Sequence, residues 1–194
     1  MQLWAGLGNP GQRYAGNRHN IGFLAVDAIA RKYGFGAYRS RFQGLIAEGE
    51  IAGEKLLILK PQTMMNLSGI SVSEAANFYK IPLDRVVVFH DELALAFAKV
   101  RVKIGGGTAG HNGLKSLDAH LGNGFKRVRI GIDHPGHKDL VSPYVLSDFL
   151  KEERPVMEKL VEAIVEAAPD LAKGDDSGFM NKIALAVPAE AREI

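Results

Sequence analysis

No cysteine occurs among the 194 residues, and that one absence excludes disulfide staples, thiolate metal sites and a cysteine nucleophile together. Long apolar runs are missing as well: none reaches the roughly 18 to 20 residues that a bilayer-spanning helix needs. The opening residues, MQLWAGLGNPG, lack the basic segment, apolar core and small-residue cleavage site of a leader peptide. The expectation is a cytoplasmic protein. Excess charge is scarce, since 24 Lys and Arg against 22 Asp and Glu leave a net charge of only +2. An anionic partner is permitted, but a basic face has to come from local clustering. There is no internal repeat, linker or low-complexity stretch, and the length suits one buried domain spanning 1–194.

What is present alternates between strand and helix. QLWAGL (2–7) is a short apolar run closed by Gly-Asn-Pro-Gly, the punctuation of a buried strand ending in a turn. Ile21, Leu24, Ala25, Ala28 and Ile29 then recur at helical spacing, with Asn20 available as N-cap and Gly34 as terminator. FQGLIAEGEI and KLLILK flank Ala52-Gly53-Glu54 as a hairpin. Ser71 to Glu74 has the form of a capping box ahead of Ala75, Ala76 and Tyr79. RVVVFH (85–90) reads as a buried strand, KVRVKI (99–104) as a half-exposed one, NGLKSLDAHLG as a helix ending at Gly122, and RVRIGI (127–132) as a returning strand. Beyond 151, Val156, Leu160, Val161, Ile164 and Val165 form one helical stripe, and Lys173 to Gly178 is a polar break before a last short helix. The alternation implies an α/β fold, a three-layer sandwich with a mixed central sheet surrounded by helices.

Polar side chains follow the apolar strands. Asn9 comes after QLWAGLG, Asn66 after LLILK and Asp91 after VVVFH, and in an open α/β sheet the crevice beyond the strand carboxyl ends is the usual ligand site. His19 lies at the entry to the first helix, on the same side if that connection is short. With no G-x-S-x-G elbow and no cysteine, a covalent acyl-enzyme has no evident nucleophile. A histidine oriented by an aspartate can instead deprotonate water, and asparagine amides can donate to a developing oxyanion. Blander readings exist for each residue: a turn at Asn9-Pro10-Gly11, a helix start at His19, an N-cap at Asn112, and an ion pair from Asp91 to a nearby lysine.

Residues 105–113, GGGTAGHNG, resemble a phosphate cradle only superficially. A P-loop needs lysine and Ser/Thr directly after its last glycine, and a dinucleotide fingerprint needs a buried parallel strand before it; neither condition holds. Phosphate handling survives in another form, because Lys103, Lys115, Arg127 and Arg129 form a basic cluster beside a helix start, suited to a polyanion backbone or simply to a solvated face. His90, Asp91, Glu92, His19 and His111 offer metal-ligand atoms, yet without a recognised spacing, and no metal is expected.

Five blocks, GLGNPGQRYAGNRHNIGF (6–23), KPQTMMNLSG (60–69), VVVFHDEL (86–93), KIGGGTAGHNGLKSL (103–117) and RVRIGIDHPG (127–136), closely resemble in order and spacing the signatures of bacterial-type peptidyl-tRNA hydrolase. The resemblance implies cleavage of the ester between a peptide, or an N-blocked amino acid, and the tRNA 3′ end. It implies His19 as general base, Asp91 as its orienting carboxylate and Asn9 as a substrate contact near the scissile bond. Asn66, His111 and Asn112 would bind the peptide and 3′-terminal region, with Tyr14, Met64 and Met65 lining the cleft. Lys103 and Arg129 would clamp a 5′-phosphate of the acceptor stem, and 137–150 would form a lid. No metal or organic cofactor and a monomeric state are implied.

Some positions depart from the family pattern. Met64 stands where an aromatic is usual, Ala109 where glycine is common, Ala94 and Ala96-Phe97-Ala98 where an Asp and a Pro-Gly turn are common, and Asp133 where glycine is frequent. At Ala109 the backbone then either keeps a negative φ or carries strain, and Asp133 brings a negative charge near Arg129. A second reading from another class is a non-hydrolytic RNA-binding protein on the same scaffold; retention of His19 and Asp91 favours the enzyme.

Overall fold

Seven strands form one mixed sheet in the computed structural model, which describes residues 1–194. They are β1 (Gln2–Gly6), β2 (Arg39–Arg41), β3 (Gly44–Ile51), β4 (Glu54–Pro61), β5 (Val86–Glu92), β6 (Val100–Ile104) and β7 (Lys126–Gly131), in the spatial order β2-β3-β4-β1-β5-β7-β6. The middle strands β4, β1, β5 and β7 run parallel, while β2, β3 and β6 are antiparallel margins. The helices are α1 (Ile21–Lys32), α2 (Ser68–Phe78), α3 (Asn112–Leu121), α4 (Val141–Val145), α5 (Arg154–Ala172) and α6 (Asp176–Ala186).

Alternate residues of the central strands feed two apolar cores, one on each face. Trp4, Ile58, Val87 and Phe89 pack with Ala25 and Ile29 of α1, Leu160 and Ile164 of α5 and Phe179 of α6. Leu3, Ala5, Leu57 and Val88 pack with Val72 and Ala75 of α2 and with Leu114 and Leu117 of α3. Burial on both faces is why these strands read as continuous apolar runs, and the three layers are those expected. β6 is the half-exposed edge strand its alternation implied.

The entry of α1 is unusually close to the sheet. A Cβ at Gly22 would collide with the Phe89 carbonyl and the Leu7 backbone, and one at Gly6 would strike the Gly22 carbonyl. Only hydrogen atoms fit there, so the helix start is pressed against β1 and β5. Leu24, assigned above to the apolar stripe, is 40% exposed, and Val26 takes the buried place.

Two capping assignments are corrected. α2 begins at Ser68, a turn before the expected capping box, so Ser71 lies buried inside the helix and Glu74 accepts from Gln43 instead. Its early amide is satisfied from another helix: Gly69 N–H donates to Ser116 Oγ at 2.9 Å, and no local cap is required. Asn20 occupies the N-cap position of α1 without capping it, because its side chain is engaged with Asn9. The hairpin at Ala52-Gly53 has positive φ at both turn residues, as a primed two-residue turn demands. A second such turn at Phe42-Gln43 joins β2 to β3; lacking Asn-Gly, it and β2 had no sequence signal.

Candidate active site

The carboxyl ends of β1, β4 and β5 open into a cleft of about 680 Å³ lined by Asn9, His19, Met64, Met65, Asn66, Asp91, His111 and Asn112 among others. His19 sits in the short 3₁₀ turn Arg18–Asn20 that leads into α1, so the close docking of that helix brings its imidazole onto the end of β5. Asp91 lies within β5, whose pairing continues to Glu92, two residues beyond the apolar run.

Asp91 is buried and shared by two histidines. His19 Nδ1 lies 2.8 Å from Oδ2, and His111 Nε2 lies 2.8 Å from Oδ1. The second contact fixes its own protonation: His111 Nδ1 accepts from the Gly113 and Leu114 amides at 3.1 and 3.2 Å, capping α3, so the ring proton is on Nε2 and is donated to Asp91. His111, not Asn112, is the N-cap. With Asp91 accepting from His19 Nδ1–H, the Nε2 lone pair of His19 is left to the cleft. Burial alone would lower the His19 pKa, but the charge and hydrogen bond of Asp91 outweigh it and hold it above the ordinary 6.5. Burial likewise opposes the Asp91 carboxylate, yet the two histidines keep it well below the usual carboxylate range. His90, on the same strand, is driven the other way: enclosed and beside His111, it falls to about 4 and stays neutral.

Asn9 is held from three directions. Its backbone N–H donates to Asn20 Oδ1 and its carbonyl accepts from Asn20 Nδ2, both at 2.9 Å, while its side-chain Oδ1 accepts from the Met65 amide at 2.7 Å. Of the two side-chain amide atoms only the oxygen can accept from an N–H, so Nδ2 is the atom left to the cleft as a donor. Asn20 is a residue that sequence reasoning placed but misassigned.

The remaining expected residues divide. Asn66 and Asn112 are exposed on the cleft, Met64 is 44% exposed beside them, and Met65 is buried in its floor. Tyr14 lies in the turn Gln12–Tyr14 and does not line the cleft. The 137–150 segment contributes Lys138, Val141, Ser142, Val145 and Leu146 to the outer wall.

The glycine loop turns its carbonyls inward. Buried Arg127 donates to the Gly107 and Gly106 carbonyls at 2.6 and 3.0 Å, so this arginine holds the loop and leaves the expected basic cluster. Ala109 takes φ +48°, the strained alternative. Arg129 pairs with Glu92 at 2.9 Å rather than facing Asp133, and Lys103 is exposed on β6 with its ammonium folded against Gly106. Ligand atoms of His19, Asp91 and His111 all lie within 4.8 Å of one another, but two N–H···O bonds already account for these contacts, and His111 Nδ1 is committed to α3.

Residues 3–191 match the family model of peptidyl-tRNA hydrolase. The chain is 61% identical over 183 residues to a peptidyl-tRNA hydrolase of Beijerinckia indica, covering 94% of this chain and 92% of that one. To one from Mesorhizobium japonicum it is 56% identical over 191 residues, covering 98% and 80%. Among solved structures, a crystal structure of peptidyl-tRNA hydrolase from Acinetobacter baumannii superposes with a TM-score of 0.89 at 40% identity, covering 94% of each chain.

Proposed function

The chain belongs to the peptidyl-tRNA hydrolase family, and from that premise we propose that it cleaves the peptidyl-tRNA ester by direct attack of water activated at His19. The observation that carries this is the Asp91 carboxylate shared between His19 and a tautomerically fixed His111. In the proposed step His19 Nε2 takes a proton from water as the oxygen adds to the ester carbonyl. Asn9 Nδ2 donates to the carbonyl oxygen as negative charge develops there. The intermediate collapses with departure of the ribose oxygen, which receives the proton back from the imidazolium. Asn66 and Asn112 bind the peptide backbone and the 3′-terminal nucleotide, with Met64 and Met65 as apolar lining.

No metal or organic cofactor enters this chemistry, and by the same reading the enzyme is a cytoplasmic monomer; no helix is long and apolar enough to cross a membrane. Lys103 and Arg129 take an acceptor-stem phosphate, and 137–150 acts as the lid. The decisive assay is His19→Ala on N-acetyl-aminoacyl-tRNA, where loss of the base removes about 10²- to 10⁴-fold of the rate. Release of the acyl group at the wild-type rate would overturn the assignment.

A further inference from the structure

Residue 18 precedes the proposed base, and its side chain leads away from the cleft. Arg18 is 4% exposed. Its Nη1 donates to Ser147 Oγ at 2.6 Å and to the Asp148 carbonyl at 2.8 Å, with the Ser147 and Tyr144 carbonyls at 3.4 and 3.5 Å. Its Nη2 donates to buried Glu153 at 2.7 Å, and the guanidinium lies over the rings of Tyr144 and Phe149. The backbone repeats the connection, since Arg18 N–H donates to the Ser147 carbonyl, and a neighbouring side-chain bond from Asn17 Nδ2 to Asp148 Oδ1 adds to it.

Apart from Glu153, at the start of α5, these acceptors lie in the last turn of α4 and the three residues that follow it; α4 is the five-residue helix that, with its flanks, supplies the outer wall of the cleft. A helix this short has no stability of its own, and its terminal carbonyls require donors. The Leu146 and Ser147 amides close the Ser142 and Tyr144 carbonyls, and Arg18 ties down the Ser147 and Asp148 groups that continue the chain, together with a positive charge at the negative end of the helix. The leading end differs: beyond Asp133, whose amide donates to the Leu95 carbonyl, the chain from His134 to Asp139 is largely exposed and its turn bonds are local, from Gly136 N–H to His134 and from Asp139 N–H to His137. A fold requirement alone does not call for a guanidinium here, since its Nε is left buried without a partner and apolar residues commonly replace buried ion pairs at no loss.

We propose that Arg18 is a positioning residue that pins the trailing end of α4 to the turn carrying His19, fixing the cleft wall relative to the base. This rests on the site reading above, but it concerns substrate retention and not proton transfer. The wall residues Val141, Val145 and Leu146 are held for the acyl group, while the His19–Asp91 pair is independent of Arg18.

The test uses Arg18→Met, Arg18→Lys and the exposed-site variant Ser147→Ala in the full chain, assayed on N-acetyl-aminoacyl-tRNA with amide hydrogen exchange alongside. For Arg18→Met, KM rises about tenfold or more, the pH midpoint of kcat stays in place, and exchange accelerates at 141–149 but not at 86–92. Lysine, which cannot fork between Glu153 and the carbonyls, recovers only part of this. Ser147→Ala gives a smaller change of the same kind and keeps the buried ion pair, so it tests the pin even if Arg18→Met does not fold. Unchanged KM and exchange in Ser147→Ala and in whichever Arg18 variants fold would overturn the proposal. A shifted pH midpoint would also overturn it, by placing Arg18 in the electrostatics of the base. Loss of activity in His19→Ala but not in the Arg18 variants would leave the mechanism standing and remove only the pin.

Discussion

At Asp91 a single atom exchange creates a conflict that geometry cannot resolve. Both carboxylate oxygens accept N–H protons, from His19 and from a His111 whose tautomer is locked by the α3 amides. In Asp91→Asn one of those oxygens becomes an NH₂ donor. Facing His111, it meets another donor; facing His19, it requires Nδ1 to accept and moves the ring proton to Nε2, where a base needs its lone pair. Either arrangement is expected to cost about 10²- to 10⁴-fold in kcat. The pH profile gives a second readout. The wild-type His19 pKa is raised by Asp91, and in the proposed mechanism the neutral ring is the active form, so activity is expected to climb with pH through a midpoint above 6.5. Without the carboxylate charge, residual activity in Asp91→Asn should titrate at lower pH. A midpoint that stays or rises in the pH dependence of kcat/KM would remove Asp91 from its role.

Between elements, the decisive contact is made by two residues without side chains. Gly22 and Gly6 let α1 settle onto β1 and β5 until backbone meets backbone, and His19 rides three residues ahead of Gly22. In Gly22→Ala the new methyl strikes the Phe89 carbonyl and the Leu7 backbone, neither of which can swing aside. Urea denaturation should show a loss of about 3 kcal/mol, and activity should drop further, because displacing the proposed base by about 1 Å costs on the order of 10²-fold. Near-wild-type stability would mean that α1 is not seated through this contact. Such an approach explains what the sequence could and could not disclose. Strand apolarity and the polar residues after each strand were legible, because period and position are local. Which amide caps which helix was not: Ser116 satisfies Gly69 from across the α2–α3 contact, and Asn20 leaves its own helix to hold Asn9. His111 was visible as a polar residue in a glycine loop, but its two-sided role depends on β5 and α3 meeting.

For the whole molecule, charge is the property that a one-dimensional reading leaves most open. Four cations near the glycine loop suit either one basic face or a solvated surface, and of these Arg127 is internal and Arg129 is bound to Glu92, itself on the cleft. With a net charge of +2, the field of the chain as a whole is too weak to gather a polyanion, and attraction has to come from the cations still free at the surface. Lys103 is one of these, on the edge strand with no carboxylate partner, and register places it beside Arg127, with Arg101 beside Arg129, on one face of β6 and β7. If Lys103 neutralises a single acceptor-stem phosphate, Lys103→Ala should weaken tRNA binding and reduce the slope of log K against log salt by about one. Arg129→Ala should lose more than Lys103→Ala at the same ionic strength, because it also uncovers Glu92 next to the proposed phosphate site and adds repulsion to a lost attraction. Binding measured over a salt series separates the two terms. An unchanged slope in Lys103→Ala would sink the clamp, and equal losses in both variants would show that the Glu92 pairing does not tune it.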